Sequence, residues 1–524
     1  MKTFTTFMPE KSSDYMKKLL LLLLFCTLHF AFCIFYSTSC SAQNNPDIKR
    51  TTHWYFGDQA GLDFTSGSPV VDANYNDSIN VQFTMSDTCG NLLLYGGPLK
   101  GIYGGTGNFL IFNKNHHLIK NGEIFPSLVG YPLCVPQPGN DSIYYLFYNY
   151  YGGGQFPRFY YSIINMKKNN GTGEIVSNNI LLLTTFANWR AAATLHCNGS
   201  DIWIINKMTD NHQLDSIEPG KIIYAWLLDE NGLNNTPVAS SVVIKPIDSG
   251  GFLRFSPDGS KMAASFANPD AQLPDSCWIE LYEFDNCTGV FFNPVIIDPF
   301  PMSVGNCFSP DNSKFYASSD WTIAYWHHGE EIFAQFDVSN FNQTDVLASE
   351  IIFSDTGTVS KSFQIGTDGK IYVFDENISD TDDWGQDKLG VINYPNLTGA
   401  LCNYMPEQID LLGGFHSDQV PPFVDSYFSS FDYQVCNIGV PEIIPDYIVD
   451  IFPNPASDFL NIHCKSSGIS GIRIYNITGK ICFEKKISDE YTVLDIHSFP
   501  SGLYFIQLDQ NNNHSFINLK FIKL

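Results

Sequence analysis

Apolar and polar residues alternate along most of the chain with the two-residue period of β-strands, and polar turns interrupt the alternation at regular intervals. The clearest unit is LRFSPDGSKMAAS (253–265), read as strand, tight turn, strand. Pro257 presets the backbone, Asp258 can bond its own main chain, and Gly259 can take positive φ. Related hairpins occur at 83–97, 136–150, 194–207, 306–320 and 362–376. The first apolar residue after each turn is Leu92, Ile143, Ile202, Met262, Phe315 and Ile371, at spacings of 51, 59, 60, 53 and 56 residues.

A second element follows each hairpin: an alternating strand that ends in a polar turn, at 108–122, 158–173, 222–233, 278–290, 332–341 and 388–397. With weaker fourth strands such as 241–248 and 294–299, each repeat supplies four strands. Four-stranded units at this spacing, in a chain with little helix signal, predict the blades of a β-propeller. Six blades are visible. The opening WYFGDQAGLDFTSGSPV resembles the later strands of a blade without its start, and 415–431 could supply that start. Pairing the two would close seven blades and remove an open edge, with six or eight as rivals.

Around 440–448 (VPEIIPDYI) the pattern gives way to a Pro-rich linker, after which a second all-β unit begins. Pro453-Asn454-Pro455 forces a rigid turn; strand–turn–strand patterns follow at 472–486 and 491–508, and a last strand at 516–524. The expected organisation is a leader over 1–42, a propeller over 51–436, a linker over 437–447 and a small Ig-like β-sandwich over 448–524. The second unit is near the size at which a single core is marginal.

The leader changes the picture. Met16-Lys17-Lys18, a Leu- and Phe-rich run from Leu19 to Tyr36, and small residues through Ala42 have the layout of a secretory signal peptide, with cleavage expected after Ala42. Residues 1–15 read as an upstream extension, with Met16 as the alternative start. An uncleaved membrane anchor is the rival reading, but the run is marginal for a span. No transmembrane anchor is expected after cleavage.

Charge is uneven along the chain. Residues 1–50 carry six basic and three acidic groups, residues 448–524 seven of each, and residues 51–447 carry 16 basic and 44 acidic groups. This disfavours a nucleic-acid partner, which needs a basic face. It allows a cation or a basic partner, against the plainer reading of a solvated acidic surface. Of 13 cysteines, Cys26, Cys33 and Cys40 lie in the leader, and the rest show no zinc spacing. Export permits disulfides, for which Cys277 with Cys287 and Cys464 with Cys482 are the candidates; buried free thiols are the alternative.

No catalytic constellation stands out: GxSxG, HExxH and P-loop patterns are absent. His116-His117 and His327-His328 are adjacent in sequence and would point to opposite faces of a strand. The richest polar stretch, DENISDTDDWGQD (375–387), offers Asp375, Asp380, Asp382 and Asp383 as calcium ligands, against a solvated acidic loop. No other cofactor is expected. Trp384, Trp189-Arg190 and Trp321 could stack on a sugar or a peptide, or serve as packing.

Two resemblances add to this. The SPDG and SPDN hairpins resemble the WD40-like propeller repeats named for their Pro-Asp pair, seen in TolB-like proteins. WYFGDQAGLDF and SDTCGNLLLY are similar to secreted and surface propellers of Bacteroidetes. The C-terminal unit resembles the type A sorting domain of the type IX secretion system. Pro453, Asn454 and Pro455, Gly479 and Lys480 in IYNITGK, and Gly502 and Tyr504 in SFPSGLYFIQL fall where that family has them. The resemblance implies Sec export, engagement of the type IX machinery, and a cell-surface or secreted address. The expected role is a non-catalytic binding or adhesion module for an unknown glycan or protein. The alternative is a secreted hydrolase of polysaccharide or peptide, with carboxylates at the mouth of the propeller channel.

Overall fold

The computed structural model describes residues 46–72, 74–100, 108–126, 128–151, 157–184, 187–188, 190–207, 221–244, 251–266, 278–298, 300, 303–319, 332–353, 358–377, 387–416, 420–429, 449–452, 456–464, 469–476, 480–486, 491–510 and 516–523. The candidate ligands Asp380, Asp382 and Asp383, together with Pro453, Asn454, Pro455, Gly479, Trp189, Trp321, Trp384 and the His327-His328 pair, lie outside these residues. The chain divides into two compact units, Met1–Cys436 and Asn437–Leu524.

The first unit is a succession of antiparallel sheets. Sheet 1 is three-stranded (His53–Phe56, Ala60–Asp63, Val70–Val71). Sheets 2 and 3 are four-stranded meanders, Phe83–Ser86 to Leu118–Pro126 and Leu128–Gln137 to Glu174–Leu183; they join at their outermost strands into one eight-stranded sheet. Sheet 4 runs from Ala192–Leu195 to Val238–Ser240, sheet 5 from Leu253–Phe255 to Val290–Ile297, sheet 6 from Ser303–Phe308 to Ile351–Ile352, and sheet 7 from Thr358–Ile365 to Tyr404–Asp410. All six repeat residues, from Leu92 to Ile371, fall on the second strand of a sheet.

Both faces of these sheets are apolar, so each must be covered by a neighbour. Tyr55 of sheet 1 packs on Tyr95 of sheet 2, and Met85 of sheet 2 shares a core with Leu146 of sheet 3. Phe159 of sheet 3 meets Trp226 of sheet 4, and Trp203 of sheet 4 meets Phe284 of sheet 5. Ala263 of sheet 5 and Phe308 of sheet 6 share a third core. Phe333 of sheet 6 packs on Phe363 of sheet 7, and Phe374 of sheet 7 packs edge-on against Phe56 of sheet 1. The last sheet therefore covers the first.

The SPD hairpins dock on neighbouring sheets. In each, a serine hydroxyl donates to the aspartate, Ser256 to Asp258 and Ser309 to Asp311, both at 2.6 Å. The Asp258 N–H donates to Oδ1 of Asn312 in the next turn at 2.9 Å. Gly259 has φ 69°, and a Cβ there would lie 2.4 Å from Oγ1 of Thr194 on sheet 4. The turn needs glycine for its conformation and for this close approach.

The described residues of segment 415–431 add no full strand to sheet 1. Phe415 forms a single antiparallel bridge with Asp58, and the chain then runs inward. Val420, Phe423 and Phe428 join the core of sheets 6, 7 and 1, whereas Val424 and Tyr427 join that of sheets 3 and 4. This short segment touches cores on both sides and fills the space between the first strands.

One disulfide joins Cys197 to Cys287 and ties a turn of sheet 4 to a turn of sheet 5. Cys277 lies outside the described residues, and the Cys277–Cys287 pairing does not form, because Cys287 is bonded to Cys197. Cys482 is free and exposed, so it does not pair with Cys464, which lies on the other sheet of its unit.

The second unit packs a three-stranded sheet (Val449–Phe452, Phe459–Cys464, Tyr491–Asp495) and a four-stranded sheet (Ile481–Lys486, Ile469–Asn476, Gly502–Gln510, Phe516–Lys523, in spatial order) around one core. Leu460, Ile462, Ile474, Ile506 and Phe521 lie in that core.

Candidate functional sites

In the second unit, register brings the described sorting residues to one end of the four-stranded sheet. Asn476 pairs with Tyr504, Tyr504 with Phe521, and Gly502 with Lys523. Lys480 closes the turn after Asn476: its N–H donates to Asn476 Oδ1, and its carbonyl accepts from the Asn476 N–H, both at 3.0 Å. Tyr504 is 4% exposed. Its ring lies 5.1 Å from Phe499 and 5.4 Å from Phe521, and its hydroxyl donates to the Pro500 carbonyl at 2.8 Å. Lys480, Gly502 and Tyr504, separated by turns in sequence, thus share one end of the four-stranded sheet. Tyr504 acts there as a core anchor rather than a reactive group.

In the first unit, the polar centre is Arg254 with Asp425. Arg254 stands on the first strand of sheet 5, and Asp425 on the inward segment. Nη1 of Arg254 donates to Asp425 at 2.9 Å and to Gln364 Oε1 at 3.0 Å, and Nη2 donates to the Phe363 carbonyl at 3.0 Å. The second Asp425 oxygen accepts from the Phe255 N–H at 2.8 Å. Both side chains are buried, at 12% and 7% exposure. Burial pushes the Asp425 carboxyl above its usual range, opposed by Arg254 and the Phe255 N–H. Ser426 Oγ accepts from the Leu195 N–H at 2.8 Å, so the segment also bonds sheet 4. Arg254 stands inside the 253–265 hairpin, whose sequence pattern points to its turn rather than to this residue. Asp425 lies outside every repeat and carried no signal.

A second buried polar group lies between sheets 4 and 5. Glu280 accepts from Trp278 Nε1 at 3.0 Å, from the Ile244 N–H at 3.2 Å and from the Tyr282 hydroxyl. Lys207 faces it. Burial lowers the Lys207 ammonium to about 7, and the Glu280 charge works the other way.

Of the calcium candidates only Asp375 is described. It lies on the strand Ile371–Asn377, in register with Ser360. Among the described residues no group of three His, Cys, Asp or Glu could hold a metal ion. His116 is at hydrogen-bond distance from the Tyr95 hydroxyl, 3.0 Å, and sits in a left-handed turn, φ 60°. Arg190 is held between the rings of Tyr131 and Phe252, at 4.7 and 3.7 Å. No helix among the described residues is long and apolar enough to cross a membrane.

Residues 450–523 match the secretion-system C-terminal sorting domain family. An endo-acting ulvan lyase of Formosa agariphila is 33% identical over 69 residues, which is 13% of this chain and 13% of that protein. Among solved structures, the chain is similar to PorZ, an essential surface component of the type IX secretion system of Porphyromonas gingivalis. The TM-score is 0.37 at 11% identity, over 89% of this chain and 62% of that one. A 6-phosphogluconolactonase-like protein of Bacteroides fragilis gives a TM-score of 0.39 at 11% identity, over 68% and 96%. Neither structural likeness bears on what this chain does. The sorting-domain match makes the protein a type IX secretion cargo, delivered to the cell surface or released.

Proposed function

We propose, on the premise of the export that residues 450–523 specify, that residues 51–436 form a seven-bladed WD40-like β-propeller working outside the cell as a non-catalytic binding module. The propeller reading is supported by sheets that pack in succession with the last covering the first. The second unit is read as an Ig-like sandwich that engages the secretion machinery.

One observation favours binding over hydrolysis. A hydrolase on this fold would converge free carboxylates at the mouth of a central channel. Among the described residues, the segment 420–429 packs into two of the cores between sheets, and its one carboxylate, Asp425, is taken up by Arg254 and the Phe255 N–H. Recognition then falls to loops at the margins of a rigid scaffold, the usual place for a binding surface.

The test is a glycan and peptide array probed with the exported protein, with and without calcium. Saturable binding with no change in the bound component supports the reading. Hydrolysis of any array component overturns it.

A further inference from the structure

The outermost strands of sheets 2 and 3 differ from those of sheets 4 and 6. Leu118–Pro126 has nine residues and Glu174–Leu183 has ten, whereas the outer strands Val238–Ser240 and Ile351–Ile352 have three and two. Each long strand pairs along one edge with its own meander. Their other edges face each other in parallel and meet at one residue pair, Lys120 with Glu174. There the Lys120 N–H donates to the Gly173 carbonyl at 3.1 Å, and Nζ pairs with Glu174 at 3.1 Å. Asn121 Nδ2 reaches the Ile175 carbonyl at 3.4 Å and closes that end. A groove of about 630 Å³ lies along these strands, lined by Leu118, Asn121, Gly122, Glu123, Ile175, Val176 and Asn178.

We propose that this groove takes a short, extended, cationic peptide from a partner protein, added as a strand between Leu118–Pro126 and Glu174–Leu183. Two facing strand edges select an extended backbone, because main-chain hydrogen bonding is what such edges offer. The edges run in the same direction, so one peptide can lie antiparallel to both, the more stable arrangement. Val176 and Leu118, 44% and 43% exposed, offer contact to apolar side chains at alternate positions of the peptide. Exposed Glu123 and the surplus of 44 acidic over 16 basic groups in residues 51–447 favour basic side chains at the other positions. Asn121 and Asn179, with φ 57° and 55°, break the strand geometry on both sides. They keep the usable edge short, which limits self-association while leaving room for a peptide. The inference rests on the binding-module reading for its biological role, but not for its geometry.

The test uses the exported protein and a fluorescent Lys-Val-Lys-Val-Lys-Val-Lys peptide at low salt, followed by anisotropy and by amide hydrogen exchange. Three comparisons are made: a Glu-Val analogue, the same Lys-Val sequence N-methylated at alternate residues, and the variants Val176→Lys and Glu123→Lys, whose folding is checked by melting. The expected result is saturable binding with new amide protection confined to 118–126 and 174–183. N-methylation and Val176→Lys should each weaken it at least about tenfold, and the Glu-Val analogue should not bind. Equal binding of the N-methylated peptide, protection mapping elsewhere, or no binding overturns the groove. Hydrolysis on the array overturns the binding module instead, so the two failures are told apart.

Discussion

Arg254 and Asp425, 171 residues apart in sequence, form a buried ion pair at 2.9 Å that joins sheet 5 to the segment 420–429. The same guanidinium bonds Gln364 and the Phe363 carbonyl of sheet 7, so one side chain links three elements. A buried pair of this kind fixes position more than it adds net stability, since both charges lose their hydration.

Removing one partner should therefore cost far more than replacing both. Asp425→Ala or Arg254→Met should destabilise the first unit by ~3–5 kcal/mol, and the double variant Arg254→Met/Asp425→Leu by much less. Urea unfolding of the three variants checks this. Equal losses in the single and double variants would contradict it.

The Cys197–Cys287 bond closes a loop with a sequence separation of 90 between sheets 4 and 5. Cys197→Ser, or reduction of the native protein, should lower stability by ~2–4 kcal/mol. Protein made in a reducing compartment should melt lower than exported protein and recover on oxidation. Melting curves before and after reductant read the difference.

Lys207 predicts a slope with pH. Its ammonium lies at about 7 in the folded chain against 10.5 when free, so between these values the unfolded state binds more protons. Stability from this group is present above 10.5 and lost as pH falls towards 7, with a slope of at most ~1.4 kcal/mol per pH unit. Lys207→Met should flatten that slope. Chemical denaturation at several pH values between neutrality and pH 10 provides the measurement.

Tyr504 separates folding of the sorting unit from its recognition. Tyr504→Ala removes a ring packed between Phe499 and Phe521 and should cost ~3–5 kcal/mol. That is enough to unfold so small a unit and leave the cargo inside the cell envelope. Tyr504→Phe keeps the packing, loses only the bond to Pro500, and should cost ~1 kcal/mol with delivery preserved. Fractionation of cells carrying each variant distinguishes the two.

The repeat pattern was legible because each hairpin repeats one local solution. Alternation places the strand, and Pro257, Asp258 and Gly259 place the turn, so Met262 and its five counterparts fall on second strands. What joins the sheets was not legible. The Arg254–Asp425 pair and the Cys197–Cys287 bond span 171 and 90 residues with no local pattern. The sequence carries no distinctive pattern for the outer strands of sheets 2 and 3, and their mutual placement is what makes the groove. In the sorting unit, the turn residues announced the family, but the register that gathers Lys480, Gly502 and Tyr504 at one end comes from strand pairing.

The segment 420–429 lies near the C-terminal limit of the first unit, although it packs into cores built from sheets 1, 3, 4, 6 and 7. Assembly of this unit therefore cannot finish from the N-terminus onward. A chain emerging from a ribosome or a translocon exposes every sheet before it delivers the piece that seals them. Until Ser426 and Asp425 arrive, the Leu195 N–H and the Arg254 guanidinium lack these partners. Closure is thus a late, long-range event, placed just ahead of the residues that address the protein for export.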